Sequence, residues 1–354
     1  MKGLVLAGGV GSRLRPLTHT SPKQLLPVAN KPVLHYCLEL IRGLGIHEVG
    51  MVVGAPSAPA VEAVVGDGSA FGLEVTYLHQ EEPRGLAHAV SIARDYLGTD
   101  DFLMYLGDNF LAGGLEELVN RFHQDRRAAQ IMLTKVADPK AFGVAEVDSD
   151  GRITGLAEKP RSPKSDLAVI GAYVFSPAVH EAIAGLAPSW RGEFEITDAI
   201  ARLIADGRHV GSTVTSEYWC DTGTVDDILE VNRFVLDGIE TDMLGAVDPT
   251  SELTGAVLAA PGVEITGSQI VGPVVLGAGS IVRDSYFGPH TSIGAGCTVV
   301  GSEIARSIVL PGSLIEGVCR IEDSLIGQET RVGAASRPGF HQFVLGDHSS
   351  VRVG

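Results

Sequence analysis

Residues 275–300 read VLGAGSIVRDSYFGPHTSIGAGCTVV, and an aliphatic or aromatic side chain returns in them at every sixth position: Val275, Ile281, Phe287, Ile293 and Val299. Val309, Ile315 and Ile321 carry the step on in a shifted register, and Ile326 and Val332 repeat it. Apolar–glycine pairs recur alongside, at Leu276-Gly277, Phe287-Gly288, Ile293-Gly294, Ile326-Gly327 and Val332-Gly333. This step is neither the 3.6 period of a helix nor the period of two of a half-buried strand. A hexapeptide repeat sets one apolar residue per short strand inside a triangular prism, with glycine easing the corners. Three repeats make a coil, so residues 245–354 are expected to form roughly four to six coils of a parallel β-helix. A β-sandwich, which alternates with period two and turns every 8–12 residues, does not match.

Working outward toward the N-terminus, the pattern changes. Lys2–Ala7, Val49–Val53, Val75–Leu78 and Phe102–Leu106 read as short buried strands, and Val33–Leu44 and Leu86–Tyr96 as amphipathic helices between them. Alternation with crossovers of helical length predicts a Rossmann-like α/β domain with a mostly parallel sheet. A chain of 354 residues suits two domains. The expected division is 1–240 for the α/β domain and 245–354 for the β-helix. In such sheets ligands sit at the carboxyl ends of the strands, so motifs there carry the most weight.

Composition narrows the chemistry. The 27 Lys and Arg against 43 Asp and Glu give a net charge of −16, which excludes binding to nucleic acid through a basic face. An acidic protein that handles phosphates must gather its few cations at the site or use a divalent metal. Cys37, Cys220, Cys297 and Cys319 show no Cys-x-x-Cys spacing, against a zinc or disulfide framework. No apolar run reaches the about 18 residues of a membrane span, and none resembles a signal-peptide core. A cytoplasmic protein without a membrane partner is expected.

Gly8-Gly9-Val10-Gly11-Ser12-Arg13 follows the first strand. Glycines at a strand-to-helix turn let backbone N–H groups approach a phosphate closely. Without Gly-Lys-Ser/Thr it is no Walker A loop, and Leu14 stands where a dinucleotide fingerprint needs its third glycine. Lys23, in Pro22-Lys23-Gln24-Leu25-Leu26-Pro27-Val28, adds a second cation to Arg13. Asp108 ends the strand Phe102–Leu106, where a metal carboxylate belongs. Glu158-Lys159-Pro160 follows an expected strand over 153–157, and Asp221 lies in Trp219-Cys220-Asp221-Thr222-Gly223-Thr224. Each has a plain alternative: a turn at Asp108-Asn109, a solvated Lys159, an Asp221 that caps the helix at 225–231. Trp219 suits a ligand stack or the core equally.

Taken together, Gly-Gly-x-Gly-x-Arg-Leu-x-Pro-Leu-Thr, Pro-Lys-Gln-Leu-Leu-Pro-Val, Leu-Gly-Asp-Asn, Glu-Lys-Pro, Gly-Glu-Phe-Glu-Ile-Thr-Asp (192–198) and Asp-Thr-Gly-Thr occur in one order. The chain thereby resembles the sugar-1-phosphate nucleotidylyltransferases, most closely the long-form glucose-1-phosphate thymidylyltransferases, whose tail is a left-handed β-helix. The resemblance implies transfer of dTMP from dTTP to α-D-glucose 1-phosphate for deoxysugar biosynthesis, with Mg²⁺ as cofactor. It implies nucleotide contacts at Gly8, Gly9, Gly11 and Ser12, a leaving-group cation at Arg13 and a charge-neutralising Lys23. Gln80 and Gly85 correspond to the base-reading segment, and Gln24 and Asn109 to supporting groups. Asp108 and Asp221 would hold the metal. Lys159 would grip the sugar phosphate, and Gly143, Glu158, Gly171 and Glu193 would face the sugar. Assembly as a homo-oligomer, partly through the β-helix, is also implied.

Two departures stand out: Arg84 replaces an acidic residue of the short form, and Ala29-Asn30 replaces the Tyr-Asp of its feedback site. Three rivals are kept. One is a UTP-using sugar-1-phosphate uridylyltransferase. Another is an acyltransferase use of the β-helix with His290 as base. The last is a non-catalytic sensor, disfavoured by the presence together of Arg13, Lys23, Asp108, Lys159 and Asp221.

Overall fold

Along Lys2–Ala7, Leu4 and Leu6 enter one apolar cluster and Val5 and Ala7 another, so the strand is buried on both faces. The computed structural model describes residues 1–9, 11–125 and 127–334. The chain divides into two compact units. The first comprises Met1–Val10, Ser21–Leu25 and Val33–Asp221, and the second Gly11–Thr20, Leu26–Pro32 and the chain from Thr222 onward.

The first unit is built on a nine-stranded sheet. Glu74–Gln80, Glu48–Gly54, Lys2–Ala7 and Phe102–Leu106 lie side by side and parallel, as the alternation predicts. Beyond them Leu167–Phe175 runs antiparallel to Phe102–Leu106 and pairs again with Ala129–Lys135 and Gly143–Val147, which makes the sheet mixed. Helices Val33–Gly43, Ala58–Val65 and Leu115–Asp125 cover one face; Leu34, Leu38, Ile41 and Leu118 are fully buried there with Val5 and Val53. Leu86–Ile92, Arg94–Leu97, Ala178–Ala184 and Ile196–Ala205 cover the other, with Ala87, Val90, Leu97 and Ile200 against Leu4 and Phe102. The expected single helix over 86–96 breaks at Ala93, whose ψ of −2° departs from helical geometry. The parallel strands all end on one edge, where Ala7, Gly54, Gln80 and Leu106 lead into the loops of interest. Among the described residues no helix is long and apolar enough to cross a membrane.

Among the described residues of the second unit, three sheets of six, six and five parallel strands form the left-handed β-helix. Val257–Ala259, Val274–Leu276 and Thr291–Ile293 stack in one face and Glu264–Thr266, Ile281–Arg283 and Thr298–Val300 in the next. Successive coils are seventeen residues apart in the serine hydrogen bonds Ser268 N–H to Ser251 Oγ, Ser285 N–H to Ser268 Oγ and Ser302 N–H to Ser285 Oγ. A coil of seventeen cannot keep a strict six-residue ladder. One of its three steps takes five residues, as between Val282 and Phe287. The ladder is therefore corrected at its start: Leu276 and Val282, not Val275 and Ile281, join the prism core with Phe287, Ile293 and Val299. The expected β-helix extends to residue 354; its residues 335–354 lie outside the described ones.

The helix Val225–Asp237 opens with Thr224 accepting from Asp227 N–H and Asp227 accepting from Thr224 N–H. Thr224, not Asp221, is thus its cap. Pro27–Val28 and Lys31–Pro32 pair as a hairpin whose two-residue turn is Ala29-Asn30, at φ 47° and 62°. Ala29 N–H donates to Asn232 Oδ1 at 2.9 Å, and Asn30 Nδ2 to the Ile293 carbonyl at 2.7 Å. The pair that departs from the short form therefore serves internal packing. His290, also at a positive φ, holds Asp237 Oδ1 through Nε2 at 2.7 Å.

Candidate active site

Two adjoining cavities open at the carboxyl edge of the parallel strands in the first unit, of ≈ 260 and ≈ 240 Å³. Leu86, Leu106, Asp108 and Glu193 line both. The first cavity brings together Gly8, Gly9, Lys23, Gln24, Gln80 and Gly85, all expected at the nucleotide. The second brings together Asn109, Gly143, Glu158, Lys159, Gly171 and Asp221, all but Asn109 and Asp221 expected at the sugar phosphate. Gly11, Ser12 and Arg13 belong to the other compact unit. There Gly11 is left-handed at φ 64° and opens a short turn over Ser12–Leu14, and Thr18 Oγ1 donates to its carbonyl.

Asp108 sits just past the central strand on a turn in which Asn109 N–H donates to the Leu106 carbonyl at 3.0 Å. Its Oδ2 is ion-paired with Lys23 Nζ. The Lys23 stem reaches that position across Gly9: a Cβ there would lie 2.9 Å from Lys23 Cε, so glycine is what leaves the path open. Asp108 Oδ1 also takes a long hydrogen bond from Asn109 Nδ2 at 3.4 Å, and Asn109 Oδ1 accepts from Trp219 Nε1 at 2.8 Å. Trp219 thus orients this network and lies edge-on to Phe142. Cys220, half-buried, pairs with Phe110 in the short ribbon 110–111 and 219–220. Gln24 is buried, and among the described residues its Oε1 takes no protein hydrogen bond. Asp108 and Asp221 both line the second cavity, a hard carboxylate donor set of the kind that fits a divalent metal ion.

Across the second cavity, Lys159 takes the left-handed conformation at φ 42°, sparsely populated for a side chain of its size, and its N–H donates to the Phe142 carbonyl. Three residues missed by the sequence reading complete this wall. Arg191 Nη2 donates to Glu193 Oε1 at 3.0 Å, and its Nη1 lies 3.3 Å from Glu195 Oε1 and 3.6 Å from Glu158 Oε1. Ser189 and Arg191 together hold Glu195, and Thr197 Oγ1 donates to Glu158 Oε2 at 3.4 Å. The signal was present: Arg191 directly precedes the 192–198 motif, in which Glu195 and Thr197 alternate with Glu193.

Burial, with the Glu195 charge second, pushes the Glu158 carboxyl above its ordinary range, against the pull of Lys159, Arg191 and Thr197. A raised native pKa means that the folded protein keeps this proton to higher pH than the unfolded chain. Its contribution to stability is therefore lost as pH rises from the ordinary carboxylate range through the raised value. Glu158→Gln is accordingly expected to flatten the decline of Tm across that window. Calorimetric scans against pH check this; a variant whose Tm falls as steeply as the parent's contradicts it.

Residues 2–238 match the nucleotidyl transferase family. The chain belongs to that family. It is 56% identical over 355 residues to a glucose-1-phosphate thymidylyltransferase of Streptomyces antibioticus, covering 100% of this chain and 99% of the relative. A low-salt glycan biosynthesis nucleotidyltransferase of Haloferax volcanii is 45% identical, with both chains covered in full. Among solved structures, a Bacillus anthracis protein assigned as a glucose-1-phosphate thymidylyltransferase, in complex with sucrose, superposes with a TM-score of 0.63 at 33% identity. That alignment covers 69% of this chain and 98% of the other. The protein is a nucleotidyltransferase.

Proposed function

We propose that this nucleotidyltransferase is a glucose-1-phosphate thymidylyltransferase acting in the cytoplasm: dTTP and α-D-glucose 1-phosphate give dTDP-glucose and pyrophosphate. The observation that carries the reading is Asp108 on the common wall of two cavities, beside Lys23 in one and facing Lys159 and Glu158 in the other. Two anionic substrates laid into adjoining pockets would meet at that carboxylate. A phosphate oxygen of the sugar phosphate attacks the α-phosphorus of dTTP, a new P–O bond forms, and the bond to the bridging oxygen of the β-phosphate breaks to release pyrophosphate. Positioning and charge neutralisation then carry the catalysis.

Lys23 neutralises the transferring phosphate, and Gly8 and Gly9 let backbone N–H groups approach the nucleotide. Gln80 and Gly85 read the base, supported by Gln24 and Asn109. Lys159 grips the sugar phosphate, with Glu158 and Glu193 accepting from sugar hydroxyls beside Gly143 and Gly171. Asp108 and Asp221 would hold Mg²⁺, which would supply positive charge to the nucleotide oxygens. The roles of Gly11, Ser12 and Arg13 rest on the resemblance alone. A catalytic domain over 1–240 and a β-helix domain over 245–354 that assembles copies of the chain complete the proposal.

The test is pyrophosphate release with Mg²⁺ and glucose 1-phosphate, run in parallel with dTTP, UTP, dUTP and the purine nucleotides. A preference for dTTP is expected. A preference for UTP would turn the assignment to a uridylyltransferase, and no release with any nucleotide would remove it.

A further inference from the structure

Gln80 is buried at the end of its strand and lines the first cavity. Its Nε2 lies 2.9 Å from Nδ1 of His88, on the facing turn of helix Leu86–Ile92. Its Oε1 turns the other way, toward Gly8: a Cβ built on that glycine would lie 3.3 Å from it. Among the described residues Oε1 takes no protein hydrogen bond. A neutral imidazole with its proton on Nε2 presents a lone pair at Nδ1, so the Gln80 amide must donate to it. The other end of the amide is then an acceptor aimed into the cavity.

We infer that His88 is a positioning residue that fixes which end of the Gln80 amide faces the nucleobase, so that the pocket selects a base carrying N3–H, thymine or uracil, over cytosine. The inference rests on the proposed assignment of Gln80 to the base. Thymine N3–H donates to Gln80 Oε1; cytosine N3 is itself an acceptor and meets Oε1 lone pair to lone pair. Such a mismatch buries an unmade hydrogen bond, the most selective contact a pocket can use.

The surroundings favour the neutral imidazole, whose Nε2–H tautomer presents the Nδ1 lone pair that the Gln80 amide N–H meets. His88 faces Phe194, whose ring centroid is 6.4 Å from its own, and the Arg84 guanidinium lies over the same ring at 5.1 Å. Burial and the Arg84 charge hold His88 below the ordinary imidazole range, and Glu82 opposes them. Protonation makes Nδ1 a donor. Gln80 must then turn its Oε1 to His88 and present N–H to the cavity, which suits cytosine N3 instead.

The experiment measures kcat/KM for dTTP and dCTP against pH, above the range where cytosine N3 itself protonates, for the parent, Gln80→Ala, His88→Leu and His88→Asn. The parent is expected to favour dTTP, with a ratio that falls as pH drops through the His88 titration. His88→Leu should lower the neutral-pH ratio by at least about tenfold and show no pH trend. His88→Asn, whose Oδ1 takes the place of the Nδ1 lone pair, should keep the ratio and lose the pH trend. A ratio kept in His88→Leu but lost in Gln80→Ala, or a parent ratio flat with pH, overturns the inference alone. A ratio unchanged in Gln80→Ala, or a parent without preference for N3–H bases, brings down the assignment of the base site and the inference with it.

Discussion

Lys23→Ala is expected to lower turnover by about two to three orders of magnitude, with a smaller effect on the KM of either substrate. The ammonium lines the first cavity and pairs with Asp108 on the wall that both cavities share, where the proposed reaction would concentrate negative charge on the α-phosphorus. Truncation removes that compensation and also takes from Asp108 the cation with which it pairs. The two effects have one origin, so Asp108→Asn and Lys23→Ala should not add: the double variant should be little slower than the worse single one. Rapid-quench measurement of the chemical step in all four proteins decides the matter. Strict additivity would separate the two residues, and a Lys23→Ala enzyme within tenfold of the parent would remove the lysine from the chemistry.

Gly85→Ala is expected to cost at least about 2 kcal/mol of stability and at least about tenfold in kcat/KM for the nucleotide. Gly85 holds φ 100° and ψ 169°, a region that only glycine occupies freely. A Cβ there would stand 2.4 Å from the Phe194 carbonyl oxygen and 2.8 Å from its nitrogen, both backbone atoms. Those atoms are already engaged, Phe194 N–H with the Arg84 carbonyl and the Phe194 carbonyl with Ala87 N–H. Relief therefore means separating the 84–87 and 194 segments, and with them Leu86 and Glu193, which line both cavities. Thermal denaturation beside steady-state kinetics tests both halves. An unchanged Tm would show that the backbone gives way at no cost.

The parallel strands, their carboxyl-edge loops and the prism were legible because each leaves a local period or motif. Leu4–Ala7 is apolar throughout because both faces of the strand are covered, and Asp108 was singled out because ligands sit at the carboxyl ends of such strands. Other features are set by contacts between distant segments. The serine hydroxyls that tie coil to coil are spaced at seventeen, a period hidden by the six-residue apolar step. Arg191 lies beside the 192–198 motif and Glu195 within it, but that they meet Glu158 shows only in the fold. The His88–Gln80 pair joins a helix to a strand end, and nothing in either segment alone announces it.

The coil, seventeen residues in most turns and sixteen between Ser292 and Ile308, also sets the grain in which this domain can change length. Each coil touches only its neighbours above and below, so its stability is a sum of nearest-neighbour terms. Inserting or deleting one or two residues within a strand would turn the apolar side chains of that coil outward, whereas gain or loss of a whole coil leaves every remaining ladder in register and alters only the height of the prism, by about 4.8 Å. Among long-form relatives, viable length differences within the prism should therefore cluster at whole coils, with smaller ones confined to the corners.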